Sequence, residues 1–172
     1  MLYVITGVMA AGKSTVAQAL AERFTRSVHL RGDMFRRSIV NGRVDMTVDV
    51  SPAALDELRL RYEMTASAAD RYVAAGFTTV VQDTILGPML AEVPDLYTSR
   101  PLAVIVLSPS AAEVARREAE RKKTGYGAFS PQQLDAVLRG QTPRLGLWID
   151  SSYQSPAETV DTILSGTEAA LV

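Results

Sequence analysis

The eight residues GVMAAGKS, Gly7 to Ser14, constrain this chain more than any other stretch. They fit G-x-x-x-x-G-K-[ST], and their flanks suit it. The β-rich run LYVIT (2–6) precedes them, and STVAQALAERF (14–24) follows with Val16, Ala19, Leu20 and Phe24 at helical spacing. A strand, a glycine loop and a helix in that order converge backbone N–H groups on an anion at the helix N-terminus, where the peptide dipoles favour negative charge. Gly7 and Gly12 admit backbone conformations that a side chain would block. Gly7, Ala10, Ala11, Gly12, Lys13, Ser14 and Thr15 are thus the expected nucleotide-phosphate site. In it Lys13 reaches the β- and γ-phosphates and Ser14 offers its hydroxyl to Mg2+.

The remaining pattern alternates strands and helices. SVHLR (27–31) reads as a second strand, and a short helix opens at Asp33 and runs to about Val40, closed by Asn41-Gly42. Ser51-Pro52 starts a long helix that stops at Gly76, with Ser as cap and Pro at the first helical position. FTTVVQD (77–83) is a third strand and PLAVIVLS (101–108) a fourth, apolar enough to be buried on both faces. SAAEVARREAERKK (110–123) is a charged helix, TGYGAFSP (124–131) a glycine-bearing loop, and a helix follows from Pro131 to about Arg139. LGLWID (145–150) is the fifth strand, and Ser155-Pro156 starts a last helix, 156–170. The fold class expected is α/β: one three-layer domain over residues 1–172, a five-stranded parallel sheet with helices on both faces and a short lid.

Composition narrows the function. With 172 residues, 47% of them hydrophobic, the chain can bury a core, and a net charge of −1 gives no bulk attraction for nucleic acid. The absence of cysteine excludes disulfides, thiolate metal sites and a Cys nucleophile. The apolar start lacks the basic region and cleavage site of a leader, and no run is long enough to span a membrane, so a cytoplasmic location without membrane or nucleic-acid partners is expected. Ras-like GTPases read guanine with N-K-x-D, whereas the one asparagine, Asn41, precedes glycine. AAA-type machines and transport ATPases need more chain. Small P-loop kinases remain.

The phosphate loop, Asp33 after the second strand, VVQDTILG (80–87), RREAERKKTGYG (116–127) and WIDSS (148–152) occur in an order that resembles the chloramphenicol phosphotransferase-like small P-loop kinases, within the nucleoside-monophosphate-kinase-like fold. The resemblance spans nearly the whole chain. It implies that Asp33 is the general base on an acceptor hydroxyl and that Asp83 holds the Mg2+ shell, with Asp150 as a rival. It also implies that the loop containing Ser152 skirts the nucleotide base. The cofactors implied are ATP and Mg2+, and the partner is a small-molecule acceptor, an antibiotic among the options. A monomer and a homodimer both fit.

Arg116, Arg117 and Arg121 lie on the helix that enters the lid (about 117–130), and Arg117 and Arg121 share a face. Arg116 and Arg117 are expected at the nucleotide, and Arg117 and Arg121 over the transferring phosphate. For the acceptor region, about 33–65, the expected contacts are Asp33, Arg36, Arg61 and Tyr62, joined by Asp83. GDMFRR also resembles the GD-x-[LF]-R element of adenylate kinases, where the arginine grips a phosphate. The second clamp of those enzymes has no counterpart in QDTILGP. Arg36 is thus open between gripping a phosphate and orienting Asp33 or a neutral acceptor. A nucleotide, gluconate- or shikimate-like kinase, a kinase of sugar nucleotides and a non-catalytic ATP sensor are the rival readings. His29 is expected to be structural, Trp148 and the methionines to be core residues, and Arg144 to pack or to pin the lid or the base edge.

Overall fold

The computed structural model describes residues 1–120 and 128–172. Its centre is one parallel sheet of five strands in the order β2-β3-β1-β4-β5. The strands are β1 (Leu2–Gly7), β2 (Ser27–Arg31), β3 (Thr78–Gln82), β4 (Leu102–Leu107) and β5 (Leu147–Ile149). β1 and β4 are buried along their whole length, as their unbroken apolar runs require. β1 pairs with β3 and β4 in a register that sets Leu2 beside both Thr79 and Leu102. The chain leaves β1 for β2 at one edge and later returns to β4 on the other side. The phosphate loop therefore stands where the strand order reverses, the place where open α/β sheets bind ligands.

Helices cover both faces. α1 (Lys13–Ala21) and α3 (Pro52–Ala74) lie on opposite sides of the sheet's β2-β3 half. His29 on β2 bonds both Gln18 of α1 and Gln82 of β3, whereas Asp83, the next residue after Gln82, turns to α3. That alternation is the pleat. α2 (Asp33–Arg37), α4 (Met89–Glu92), α5 (Ala111–Ala119), α6 (Pro131–Gly140) and α7 (Pro156–Ser165) complete the set. The serine starts hold: Ser51 accepts from the Ala54 N–H, and Ser155 with Glu158 forms a reciprocal capping box.

Several boundaries differ from expectation, each for a local reason. α1 ends at Ala21, because Arg23 and Phe24 donate to carbonyls three residues back and the tightened turn stacks Phe24 on Tyr3. α2 stops at Arg37, where the Ser38 hydroxyl takes the Met34 carbonyl. The last helix ends at Ser165. A 3-10 turn follows, Leu171 bridges to Ala103, and the Val172 N–H donates to Leu102. α4 and the 3-10 turn Val93–Leu96 were not anticipated; they bury Leu90 and Val93 under a segment that reads as loop.

Trp148 and the methionines are not core residues. Trp148, on the edge strand, is half-buried under the Arg144 guanidinium, 4.0 Å from its ring centre. Met34 and Met64 are exposed, and Met1, Met9 and Met89 are only partly buried. His29 is structural as expected: burial holds its pKa below the usual value, aided by Arg31 and opposed by the Gln82 bond and Asp33.

Candidate functional site

The site is assembled at the C-terminal ends of β1, β2 and β3. Gly12 precedes α1 with φ 96°, a left-handed conformation natural to glycine, and Ala10 shares that region at φ 60°. The loop thereby wraps the first turn of α1. Lys13 is buried, and its Nζ donates to the carbonyls of Gly7 and Val8, both at 2.8 Å, on the loop's own rim. Ser14 and Thr15 are exposed at the mouth of the loop.

Asp83 is fully buried beside this loop. Arg61 of α3 grips both its oxygens: Nε donates to Oδ2 at 3.1 Å and Nη2 donates to Oδ1, which also accepts the Thr84 N–H at 2.7 Å. Burial pushes the Asp83 carboxyl upward, while Arg61, the Thr84 N–H and Lys13 pull against it. Gly32 permits the arrangement, because a Cβ there would overlap the Asp83 carboxylate. The Gly32 N–H donates to the Gln82 carbonyl at 3.0 Å. Asp83 thus packs against Gly32, the residue before the head of α2, and lies near enough to Lys13 to feel its charge.

Asp33 is the first residue of α2 and caps nothing with its side chain; Gly32 is the cap residue. Its carboxylate lies 2.7 Å from Arg37 Nη2 and 3.5 Å from Arg31 Nε. Arg36 turns elsewhere. It pairs with Asp45 and stands 3.5 Å from Glu57, whose other oxygen accepts the Val44 N–H at 2.7 Å. Arg43 and Arg59 are also beside acids, Asp45 at 3.9 Å and Asp56 at 3.6 Å. Tyr62 is inside the core, its hydroxyl donating to the Thr84 carbonyl at 2.7 Å, and burial lifts its pKa. It braces the Asp83–Thr84 turn.

Arg117 reaches the phosphate loop. Its Nη1 donates to the Ala11 carbonyl at 3.2 Å, Nη2 to the Ser151 carbonyl at 2.8 Å and Nε to Glu113 at 2.6 Å. Arg116, one position earlier, is exposed and pairs with Glu113 and Glu120. Ser152 is buried, accepts the Ser110 N–H at 2.8 Å and donates to Asp150. Those bonds from the Ser152 hydroxyl and N–H lower the Asp150 pKa. Arg121 lies outside the described residues, as does much of the expected lid.

The donor set suits Mg2+, which prefers oxygen ligands and keeps several waters. Ser14 and Thr15 are the exposed hydroxyls at the loop mouth. Both Asp83 oxygens are already engaged, by Arg61 and the Thr84 N–H. Among the described residues no cluster of three or more carboxylates or imidazoles exists that would hold a metal by protein ligands alone. No described helix is long and apolar enough to cross a membrane.

The sequence did not disclose Gly32, Glu113 or the Arg37–Asp33 pair as parts of the site. Glu113 and Arg117 stand four apart on a helix, as do Asp33 and Arg37, and that spacing was the available signal.

A glycine loop at the strand-order reversal, a buried lysine and an adjoining buried acid define a P-loop phosphate-binding fold. The chain belongs to the AAA domain family (AAA_33), whose model matches residues 2–143. No curated protein matches it significantly. Solved structures share the fold at low identity. A sugar kinase from Janibacter sp. HTCC2649 superposes with a TM-score of 0.71 at 19% identity, covering 98% of this chain and 95% of that one. The Mycobacterium tuberculosis APS kinase in complex with AMPPNP and APS gives 0.71 at 18%, covering 97% and 96%. The Deinococcus radiodurans tunicamycin resistance protein gives 0.67 at 15%, covering 99% and 97%. The family match spans the first four strands and runs through α6, ending before β5.

Proposed function

We propose that the protein transfers the terminal phosphoryl group of ATP to a hydroxyl of a small, uncharged organic molecule, with antibiotics among the candidate acceptors. The observation that supports this reading is the packing of Asp83, which feels the Lys13 charge, against Gly32, with the partly exposed carboxylate of Asp33 on the next residue. In the reaction the acceptor oxygen bonds to the γ-phosphorus as the bond to the ADP oxygen breaks, and the hydroxyl proton passes to Asp33. Lys13 lies where it can follow the phosphates, exchanging its loop carbonyls for phosphate oxygens. Bound Mg2+ would neutralise charge on the phosphates, with Ser14 as its protein ligand and Asp83 behind it.

Charge pairing favours an uncharged acceptor. Arg36, Arg43, Arg59 and Arg61 each face a carboxylate, and Arg31 and Arg37 flank Asp33 itself. Gripping an acceptor phosphate with Arg36 or Arg61 would strand Glu57 or Asp83, which are nearly or fully buried. Met34, Leu60 and Met64 are exposed in the same region and suit an acceptor with an apolar body.

ADP release measured against a panel of neutral alcohols, gluconate and nucleoside monophosphates tests the reading, together with Asp33→Asn. Turnover of a neutral alcohol, reduced about 10²-fold or more in kcat by Asp33→Asn with ATP binding kept, is expected. Unchanged turnover in that variant would remove Asp33 from the chemistry, and a chain that binds ATP without acceptor-dependent turnover would be a sensor.

A further inference from the structure

We propose that the solvent face of α3 is the contact through which two copies of this chain pair, antiparallel, about a two-fold axis at Ser67. The inference goes beyond the kinase reading and does not depend on it. Two observations carry it. The first is the pattern of the face. Along the 23 residues of α3, Asp56, Leu60, Glu63, Ser67, Arg71 and Ala74 recur at intervals of three and four, and all are exposed, while Tyr62, Thr65 and Ala69 are buried. At the rise of a helix the stripe is about 30 Å long. An open groove runs beside it, lined by Glu63, Ser67, Arg71 and Ala74 of α3 and by Leu96 and Ser99 opposite.

The second observation is how the charges on α3 are spent. Arg59 stands 3.6 Å from Asp56, Arg61 grips Asp83, and Glu57 takes the Val44 N–H. Asp70 accepts from Thr98 and from the Ser99 N–H. Among the described residues, Glu63 and Arg71 are the charged side chains of this helix that find no partner in their own chain. They stand four residues before Ser67 and four after it. A two-fold that reverses α3 about Ser67 sets Glu63 of each copy level with Arg71 of the other, and two ion pairs form from charges that one chain leaves bare. The same operation sets Leu60 level with Ala74, and the small Ser67 meets its own copy, which lets the helices approach closely. A parallel pairing would set Glu63 against Glu63 and Arg71 against Arg71, so the charges select the antiparallel arrangement. In this account the pairs fix partner and register, and the apolar area comes from Leu60, Ala74 and Leu96, the last exposed on the far wall of the groove.

Sedimentation equilibrium of the full chain tests this. The parent is expected to pass from one chain to two as its concentration rises through the micromolar range. Glu63→Arg and Arg71→Glu each turn both pairs into repulsions, and each variant alone is expected to weaken the dimer about tenfold or more. Mixed in equal amounts, the two variants are expected to pair with each other as tightly as the parent does, because each then meets the opposite charge. Ser67→Cys gives a readout in which no charge changes. The chain has no cysteine of its own, so copper phenanthroline is expected to link two Ser67→Cys chains across the axis and to leave Glu168→Cys, exposed outside α3, unlinked. A parent that stays monomeric throughout overturns the proposal. So does a dimer that neither reversal weakens, a mixture of the two variants that does not pair, or a Glu168→Cys chain that links as fast as Ser67→Cys. Unchanged circular dichroism of the charge variants establishes that a loss reports pairing.

Discussion

Arg61 and Asp83 form a two-point ion pair between α3 and the end of β3, with the carboxylate fully buried and the guanidinium nearly so. The pair ties the helix of the acceptor region to the strand beside the phosphate loop. Breaking it from one side leaves a buried charge without its partner, at a cost of about 3–5 kcal/mol. Arg61→Met and Asp83→Asn are each expected to lose stability on that scale in urea unfolding. The double variant is expected to lose less than the sum of the two. Additive losses would mean that the pair is not coupled.

Gly32 gives that carboxylate its room. In Gly32→Ala the new Cβ overlaps Asp83 and presses on the Thr65 hydroxyl. The expected cost is about 1–3 kcal/mol, by overpacking. Gly140→Ala is the control, since a Cβ at the end of α6 meets nothing within 4 Å. It is expected to be neutral or to stabilise by up to about 1 kcal/mol. Thermal melts of the two variants separate close approach from loss of glycine as such.

Arg117 bonds two carbonyls from two different loops, a task that needs a planar fork. Arg117→Lys can keep the charge but not both bonds. Nucleotide Kd is expected to rise about tenfold in Arg117→Ala and nearly as much in Arg117→Lys, as measured by titration calorimetry. Full rescue by lysine would show that charge alone matters at this position.

Glu113 holds Arg116 and Arg117, and their hydrogen bonds bring its pKa down from 4.5 to about 2. A carboxylate whose pKa is depressed on folding stabilises the fold above the unfolded value and loses that contribution as pH falls through the folded one. The stability difference between the parent and Glu113→Gln is therefore expected to be constant above about pH 5 and to shrink towards pH 2. Urea unfolding at pH 7, 4 and 2.5 measures it. A difference that stays constant across the series would mean that Glu113 is not held by these arginines.

Much of this fold is legible in local pattern. A glycine loop between a β-branched run and a helical one, serine-proline starts at 51–52 and 155–156, and the apolar run of β4 each rest on interactions within a few residues. Helix ends were less legible, because α1 yields to the stacking of Phe24 on Tyr3, and α2 to the Ser38 hydroxyl. The candidate site divides in the same way. Lys13, Ser14 and Asp33 declare themselves by spacing from a motif or a strand end. Sequence does not say that Arg36 turns to Asp45 and Glu57 while Arg37 takes Asp33, for both arginines stand within reach of the same acid.

The sequence by itself determined the phosphate loop, the alternation of strands and helices and the identity of the acids available, because backbone geometry and hydrophobic period act over short distances. Tertiary structure alone decided the pairings: Arg61 with Asp83 across 22 positions and Arg117 with Ala11 across 106. Those choices follow from which charges the folded chain takes out of water together, since a buried carboxylate must find a partner and the nearest one in space is rarely the nearest along the chain.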